Sequence, residues 1–375
     1  MACSAIASLR LFLVSSCSVL AASPALADTI NVPADFPTIQ AAIDSVAPGA
    51  SATVQVAAGT YNESFGLNGK NIVVRGAAKG GTVLSGTGVA GSIARFSGGE
   101  PATAGLEALV FRNGVQGSVI NPPAPVAVGG AVFGVNSAAF IRNCRFEDCG
   151  ADFGGAVYLF GCSLAIDGCV FDGNEALIDG GAMLAFRCEG VISGSSFSNN
   201  LAGLASSGSG AAIKTVGGRT AEALILIDGC SVSGNRTNVS GSAIEHFEDA
   251  EGVPGVMRIS GTSVSGNQSG FSLPNGAGGL RVLGAQRSCV LAGGTSICGN
   301  TARNVSGPYL IEGAAEVCDC EADVFENGVV DAADLGILLS SWGLSGSAGA
   351  GDLNHDGLVN ALDLAELLSS WGSCG

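Results

Sequence analysis

Between residues 129 and 300, short apolar runs alternate with glycine, aspartate and asparagine turns, and one block recurs. Its first anchor is a Gly-Gly-Ala-like element: Gly129-Gly130-Ala131-Val132, Gly154-Gly155-Ala156-Val157 and Gly180-Gly181-Ala182-Met183. Looser copies follow at Ser209-Gly210-Ala211 and Gly241-Ser242-Ala243-Ile244. The second anchor is an apolar residue with Asn three positions on: Phe171 and Asn174, Phe197 and Asn200, Val232 and Asn235, Val264 and Asn267, Ile297 and Asn300. Phe146 and Cys149 form a variant first copy. Successive apolar anchors lie 25, 26, 35, 32 and 33 residues apart. Within one block, Val157 to Phe160, Ser163 to Ile166 and Cys169 to Phe171 read as three short strands bounded by turn residues.

A block of this size cannot bury its own apolar face. Stacking copies at the inter-strand spacing of about 4.8 Å joins their side chains into one core, so the pattern predicts an all-β parallel β-helix solenoid. The Asn positions should form a ladder at one turn, because Asn tolerates left-handed backbone and bonds neighbouring backbone groups. Upstream, Ile39, Ala42, Ile43 and Val46 fall at i, i+3, i+4 and i+7, which predicts an amphipathic helix over about Thr38 to Val46 that caps the solenoid.

Composition sharpens this picture. Glycine supplies 59 of 375 residues, hydrophobic residues reach 47% and charged residues only 13%, which excludes both a glycine-rich disordered chain and an all-helical one. A net charge of -16 leaves no basic surface for nucleic acid. Residues 1–27 carry one Arg10, an apolar stretch from Leu11 to Ala22 and a small-residue site ending Ala25-Leu26-Ala27, which predicts a secretory signal peptide cut before Asp28. Val14-Ser15-Ser16-Cys17 loosely resembles a lipobox, although the apolar segment would then end early. No later run reaches the length of a membrane helix, so a secreted or cell-surface protein is expected. Cys3 and Cys17 leave with the leader; the other eleven cysteines cannot all pair within the chain. Cys144 aligns with Cys169 and Cys162 with Cys188, as stacked thiols or as bonds.

After Arg303 no Lys or Arg occurs and twelve acids follow, so the tail reads as a separate module. Two twelve-residue loops, DVFENGVVDAAD from Asp323 and DLNHDGLVNALD from Asp352, are each followed by a Leu-rich segment and Ser-Ser-Trp-Gly. Oxygen ligands at positions 1, 3, 5, 9 and 12, a carbonyl at 7 and Gly at 6 suit a hard cation. The second loop meets every requirement with Asp352, Asn354, Asp356, the Leu358 carbonyl, Asn360 and Asp363 around Gly357. The first keeps Asp323, Asn327, the Val329 carbonyl, Asp331 and Asp334 but has Phe325 at position 3, so weaker Ca2+ binding is expected. The helices should then pack through Leu335, Ile337, Leu338 and Trp342 against Leu364, Leu367, Leu368 and Trp371, with Cys374 bonded to Cys318 or Cys320.

The stretch from Thr29 to Asp44, TINVPADFPTIQAAID, with Val54 to Glu63 and Asn71 to Gly76, resembles the opening of right-handed parallel β-helix proteins of the pectin lyase-like superfamily. The glycine and Phe-x-x-Asn repeats also resemble those of bacterial polymorphic outer-membrane proteins. The tandem acidic loops resemble type I dockerins, in particular variants ending in Gly and Cys, which implies calcium-dependent anchoring to a cohesin-like or cell-surface partner. Loop positions 10 and 11, Ala332-Ala333 and Ala361-Leu362, lack the Ser/Thr pairs of that family, which departs from a standard cohesin contact. The expected organisation is a β-helix over 28–312, a linker over 313–322 and a dockerin-like calcium domain over 323–375.

The superfamily includes polysaccharide lyases, pectin esterases and polygalacturonases, yet fold does not carry function. The paired Asp with Gly-His-Gly of polygalacturonases is absent, as is the Asp, Asp, Arg, Gln set of pectin esterases. A non-catalytic protein that binds or is displayed at a polysaccharide or cell surface is therefore favoured over a polysaccharide-degrading enzyme. Two blocks carry six extra residues between their anchors, bringing Lys214, Arg219 and Glu222 into one predicted loop and Glu245, His246, Glu248, Asp249 and Glu251 into the next. These form the candidate glycan-facing ridge, set against a plain reading as solvated ion pairs. Glu147 and Asp172 should stack as turn acids.

Overall fold

The computed structural model describes residues 28–114, 127–204, 208–220, 222–238, 241–248, 255–270, 277–283, 288–301, 303–318, 322–325, 329–344, 351–353 and 358–373. The expected leader, and Asn327, Asn354, Asp356, Asp249, Glu251, Cys320 and Cys374 among the residues singled out above, lie outside this set.

Three parallel sheets of eleven, ten and nine strands, with a four-stranded sheet at one turn, wind around a common core. One coil shows how a block feeds them: Val157–Phe160 enters the nine-stranded sheet, Ser163–Asp167 the eleven-stranded, Val170–Asp172 the ten-stranded and Glu175–Asp179 the four-stranded. Each strand pairs with its counterparts one coil away, Val157 with Val132 and Met183. This is a parallel β-helix.

The repeat anchors make its interior. Phe111, Phe146, Phe171 and Phe197 are fully buried and stack with centroids 5.0, 4.6 and 4.6 Å apart. The asparagines form the expected ladder. Asn200 donates from its backbone N–H (3.0 Å) and from Nδ2 (2.8 Å) to Asn235 Oδ1, and Nδ2 also reaches the Phe171 carbonyl (3.1 Å). Asn174, Asn235 and Asn267 repeat the pattern, and Asn300 ends it on Asn304. Cys149 fits the first position because only its backbone N–H is needed there, donating to Asn174 Oδ1 at 3.1 Å. The glycine anchors have two uses: Gly154 takes φ 61°, and a Cβ on Gly155 would sit 2.2 Å from the Gly181 carbonyl of the next coil.

At the N-terminal end, helix α1 (Ile39–Ser45) begins where Thr38 Oγ1 accepts the Ala41 N–H and the Glu63 carboxylate accepts those of Ile39 and Gln40. Ile39, Ala42 and Ile43 bury into the solenoid core. At the far end, the strand Glu316–Val317 still pairs with Ser296–Ile297, inside the stretch expected as a linker. Cys318 is bonded to Cys298 there, which corrects the Cys318 alternative of the expected clasp, while Cys374 and Cys320 lie outside the described residues.

The C-terminal segment has helices α2 (Ala332–Ser340) and α3 (Ala361–Ser369) and a small core of Ala322, Val330, Leu338, Leu353, Val359 and Leu367. Its halves exchange strands reciprocally: Val329–Val330 pairs antiparallel with Gly372–Ser373, while Val359 bonds Gly343 and Leu344. The packing is narrower than the sequence suggested. Trp342 and Trp371 are 46% and 49% exposed, Leu368 is exposed too, and only Leu338 and Leu367 of the expected apolar set are fully buried.

Candidate functional site

Strand alternation after each Gly-Gly-Ala turn sends every second residue outward on the nine-stranded sheet. Parallel register aligns these residues in two columns along the helix. One runs Phe133, Tyr158, Leu184, Lys214, Glu245, Arg281; the other runs Val135, Phe160, Phe186, Val216, Phe247, Leu283. Phe133 stacks on Tyr158 with centroids 6.0 Å apart, and Phe160 on Phe186 at 5.4 Å. Beyond these rings the smaller Leu184 and Val216 leave a groove of about 490 Å³. Phe153, Tyr158, Leu184, Phe186, Val216 and Phe247 line it, with Asp179 and Lys214 as its charged members.

Behind this edge lies a charge network linking successive coils. The Lys214 ammonium reaches Asp179 Oδ2 at 2.9 Å, Glu245 Oε1 at 3.0 Å and Ser209 Oγ at 2.9 Å. Arg281 holds the other Glu245 oxygen at 2.6 Å, and Ser209 Oγ lies 2.5 Å from Oε1. Glu245 is 1% exposed. Burial pushes its pKa up, but Lys214 and Arg281, with hydrogen bonds from Ser209 and Arg281, outweigh that and hold the carboxyl below its usual value. At neutral pH it is an ionised strut.

The predicted ridge is therefore redistributed. Lys214, Glu245 and His246 lie on strands (Ile213–Val216 and Ile244–Phe247), because the extra residues enter after Val216 and Phe247, beyond the strand ends. Lys214 and Glu245 join the groove and its network. His246 points the other way, inside the solenoid: its Nδ1 lies 2.8 Å from Thr215 Oγ1, and burial pushes its pKa down to about 4. Arg219 leaves the groove for Ser163 Oγ (3.1 Å) and Glu189 (3.4 Å), so it ties its loop to an earlier coil. Glu222 is exposed and Glu248 half-buried, neither lining the groove. Glu147 and Asp172 do pair in register, Glu147 against Arg112 and Arg145 and Asp172 against Ser198 and Asn199.

Sequence reading missed the aromatic columns, Asp179, Ser209 and Arg281. The signal was present in the second and fourth residues of VFGV, VYLF, MLAF, IKTV and IEHF, read one under another. The seven buried cysteines among the described residues are thiols, including Cys144, Cys169, Cys162 and Cys188. Burial pushes Cys149 and Cys289 up to about 12, so these are apolar filling rather than reactive groups.

In the C-terminal segment the acidic positions do double duty. Asp334 Oδ2 accepts the Asp331 N–H (2.8 Å) and Oδ1 that of Phe325 (2.7 Å); Asp363 accepts from Asn360 (2.7 Å) and Leu353 (2.8 Å). Asp331 and Asn360 in turn cap α2 and α3. The donor thus shifts from loop position 3 in the first copy, Phe325, to position 2 in the second, Leu353. Asp323, Asp352, Asp331 and Asn360 are partly buried, and Val329 and Leu358 are exposed. Asp334 and Asp363 are fully buried in a segment without Lys or Arg. An all-oxygen set around buried carboxylates, in a sequence segment without Lys or Arg, fits a hard divalent cation such as Ca2+.

No protein-family model matches the chain, and no curated protein matches it. Among solved structures it is similar to pectin methylesterase from Aspergillus niger in deglycosylated form, at 14% identity, 79% of this chain, 87% of that one and TM-score 0.37. It is also similar to rice weevil pectin methyl esterase, at 11% identity, 79% and 83% coverage and TM-score 0.35. A pectin methylesterase in complex with hexasaccharide VII gives 14% identity, 72% and 80% coverage and TM-score 0.32. Likenesses this loose transfer no residue roles.

Proposed function

We propose that this is an exported β-helix protein that binds a polysaccharide along the outer face of its nine-stranded sheet and is anchored through a calcium-dependent, dockerin-like C-terminal module. The observation that carries the binding role is the groove: apolar and aromatic walls with one charged edge are the usual make-up of a ligand site. Pyranose rings pack their C–H faces on aromatic rings and direct hydroxyls to polar edges. Glu245 favours recognition over turnover, since a carboxylate clamped by Lys214 and Arg281 neither gives nor takes a proton near neutral pH.

For the module, Asp323, Asp331, Asp334, Asp352 and Asp363 with Asn360 would hold the ion, joined by Asn327, Asn354 and Asp356. Bound calcium supplies the positive charge that the segment lacks. The exposed pairs Leu339 with Trp342 and Leu368 with Trp371 recur at one offset and supply apolar contact for a protein partner, cohesin-like or at the cell surface. The binding role is tested by titrating neutral and acidic oligosaccharides into the protein and into Tyr158→Ala and Phe186→Ala. Loss of about tenfold in affinity in both supports it; unchanged affinity removes the groove from the account.

A further inference from the structure

We infer that the groove selects neutral saccharides and rejects uronates; this rests on the glycan-binding reading above and names the substrate class. The groove has two charged members, Asp179 and Lys214. An ammonium has three protons, and those of Lys214 are all placed, on Asp179 (2.9 Å), Glu245 (3.0 Å) and Ser209 (2.9 Å). Arg281, the other cation of the network, is held by Glu245 at 2.6 Å. Arg187 lies over the Phe186 ring at 5.5 Å but is not a lining residue. Two cations and two carboxylates therefore balance within the network, and Lys214, the cation that lines the groove, has no proton left over for an incoming anion.

Asp179 is different. Its Oδ1 accepts from the Ser209 backbone N–H (3.0 Å) and lies 3.1 Å from Ser209 Oγ, while Oδ2 accepts from Lys214 alone among the contacts described. A carboxylate oxygen has two acceptor positions, so Oδ2 retains one. The groove thus offers an acceptor beside aromatic walls: a sugar hydroxyl donates to Asp179, whereas a uronate carboxylate would meet a like charge. The net charge of -16 works in the same direction at longer range.

The test is calorimetry of the full chain in calcium buffer at low salt with neutral hexaoses of xylose, glucose and mannose and with hexagalacturonate. At least one neutral hexaose should bind about tenfold or more tighter than hexagalacturonate. The ratio should shrink at high salt as repulsion is screened. Asp179→Asn, with folding checked by circular dichroism, should narrow it by weakening the neutral ligand and relieving the acidic one. Tighter binding of hexagalacturonate than of any neutral hexaose, or a ratio untouched by Asp179→Asn in a folded protein, overturns the inference and leaves glycan binding standing. Binding of none of the probes overturns the glycan-binding reading itself.

Discussion

The solenoid and the C-terminal module solve the same problem of burying polar groups in opposite ways. In the solenoid, the buried asparagines are completed by neighbours one coil away: Asn200 is satisfied by Asn235 and the Phe171 carbonyl. Charges sit in matched sets, as Glu245 does between Lys214 and Arg281. In the module, Asp334 and Asp363 are buried and accept backbone N–H groups in a segment whose sequence holds no Lys or Arg, over a core of six buried apolar residues. The first region carries its compensation in the repeat; on the reading proposed above, the second would take it from a bound ion. Under that proposal a rigid binding surface is joined to a conditional anchor.

The comparison can be broken first at the solenoid core. Phe171→Ala removes a ring stacked on both sides and should cost about 3–5 kcal/mol, read from denaturant unfolding with and without calcium. Equal loss in both buffers is expected, and a calcium-dependent loss would merge the two regions.

Acid should find His246 next. Its folded pKa is about 4 against 6.5 unfolded, so the unfolded chain takes up a proton that the folded one refuses. Stability is complete above pH 6.5 and falls by about 3 kcal/mol as pH drops to 4. His246→Leu should flatten that slope, while the depressed Glu245 adds its own loss only below about pH 4.5. Asn235→Ala, which strands donors on Asn200, should cost about 2 kcal/mol by the same unfolding assay. The smallest effects belong to the acidic loops: Asp352→Ala in the complete second loop should raise the calcium midpoint for helix formation about tenfold, and Asp323→Ala in the first by less, since Phe325 already removes one ligand there.

Much of the solenoid was legible because stacking forces one position to repeat its chemistry. Phe146, Phe171 and Phe197, and the asparagines after them, announce their alignment without any structure. The groove was less legible because exterior positions need not repeat. Tyr158, Leu184, Lys214 and Glu245 share a column but no chemistry, and only the coil register brings them together. Counting insertions from anchor to anchor placed Lys214, Glu245 and His246 in loops, although the strands run on to Val216 and Phe247. Alternation within those strands then separates Glu245, facing out, from His246, facing in. Cys318 was assigned to the wrong region for a related reason: the last coil extends to Val317, which carries Cys318 to Cys298.

Hydrogen exchange of the full chain, with calcium and with a chelator, tests the contrast most directly. In calcium, amides of Ala332–Ser340 and Ala361–Ser369 should be protected alongside those of the strands holding Phe146, Phe171 and Phe197. In chelator, protection of the two helices should collapse while the strands remain unchanged. Helices equally protected in both buffers would contradict the account, because the buried Asp334 and Asp363 would then be stable without the cation their surroundings call for.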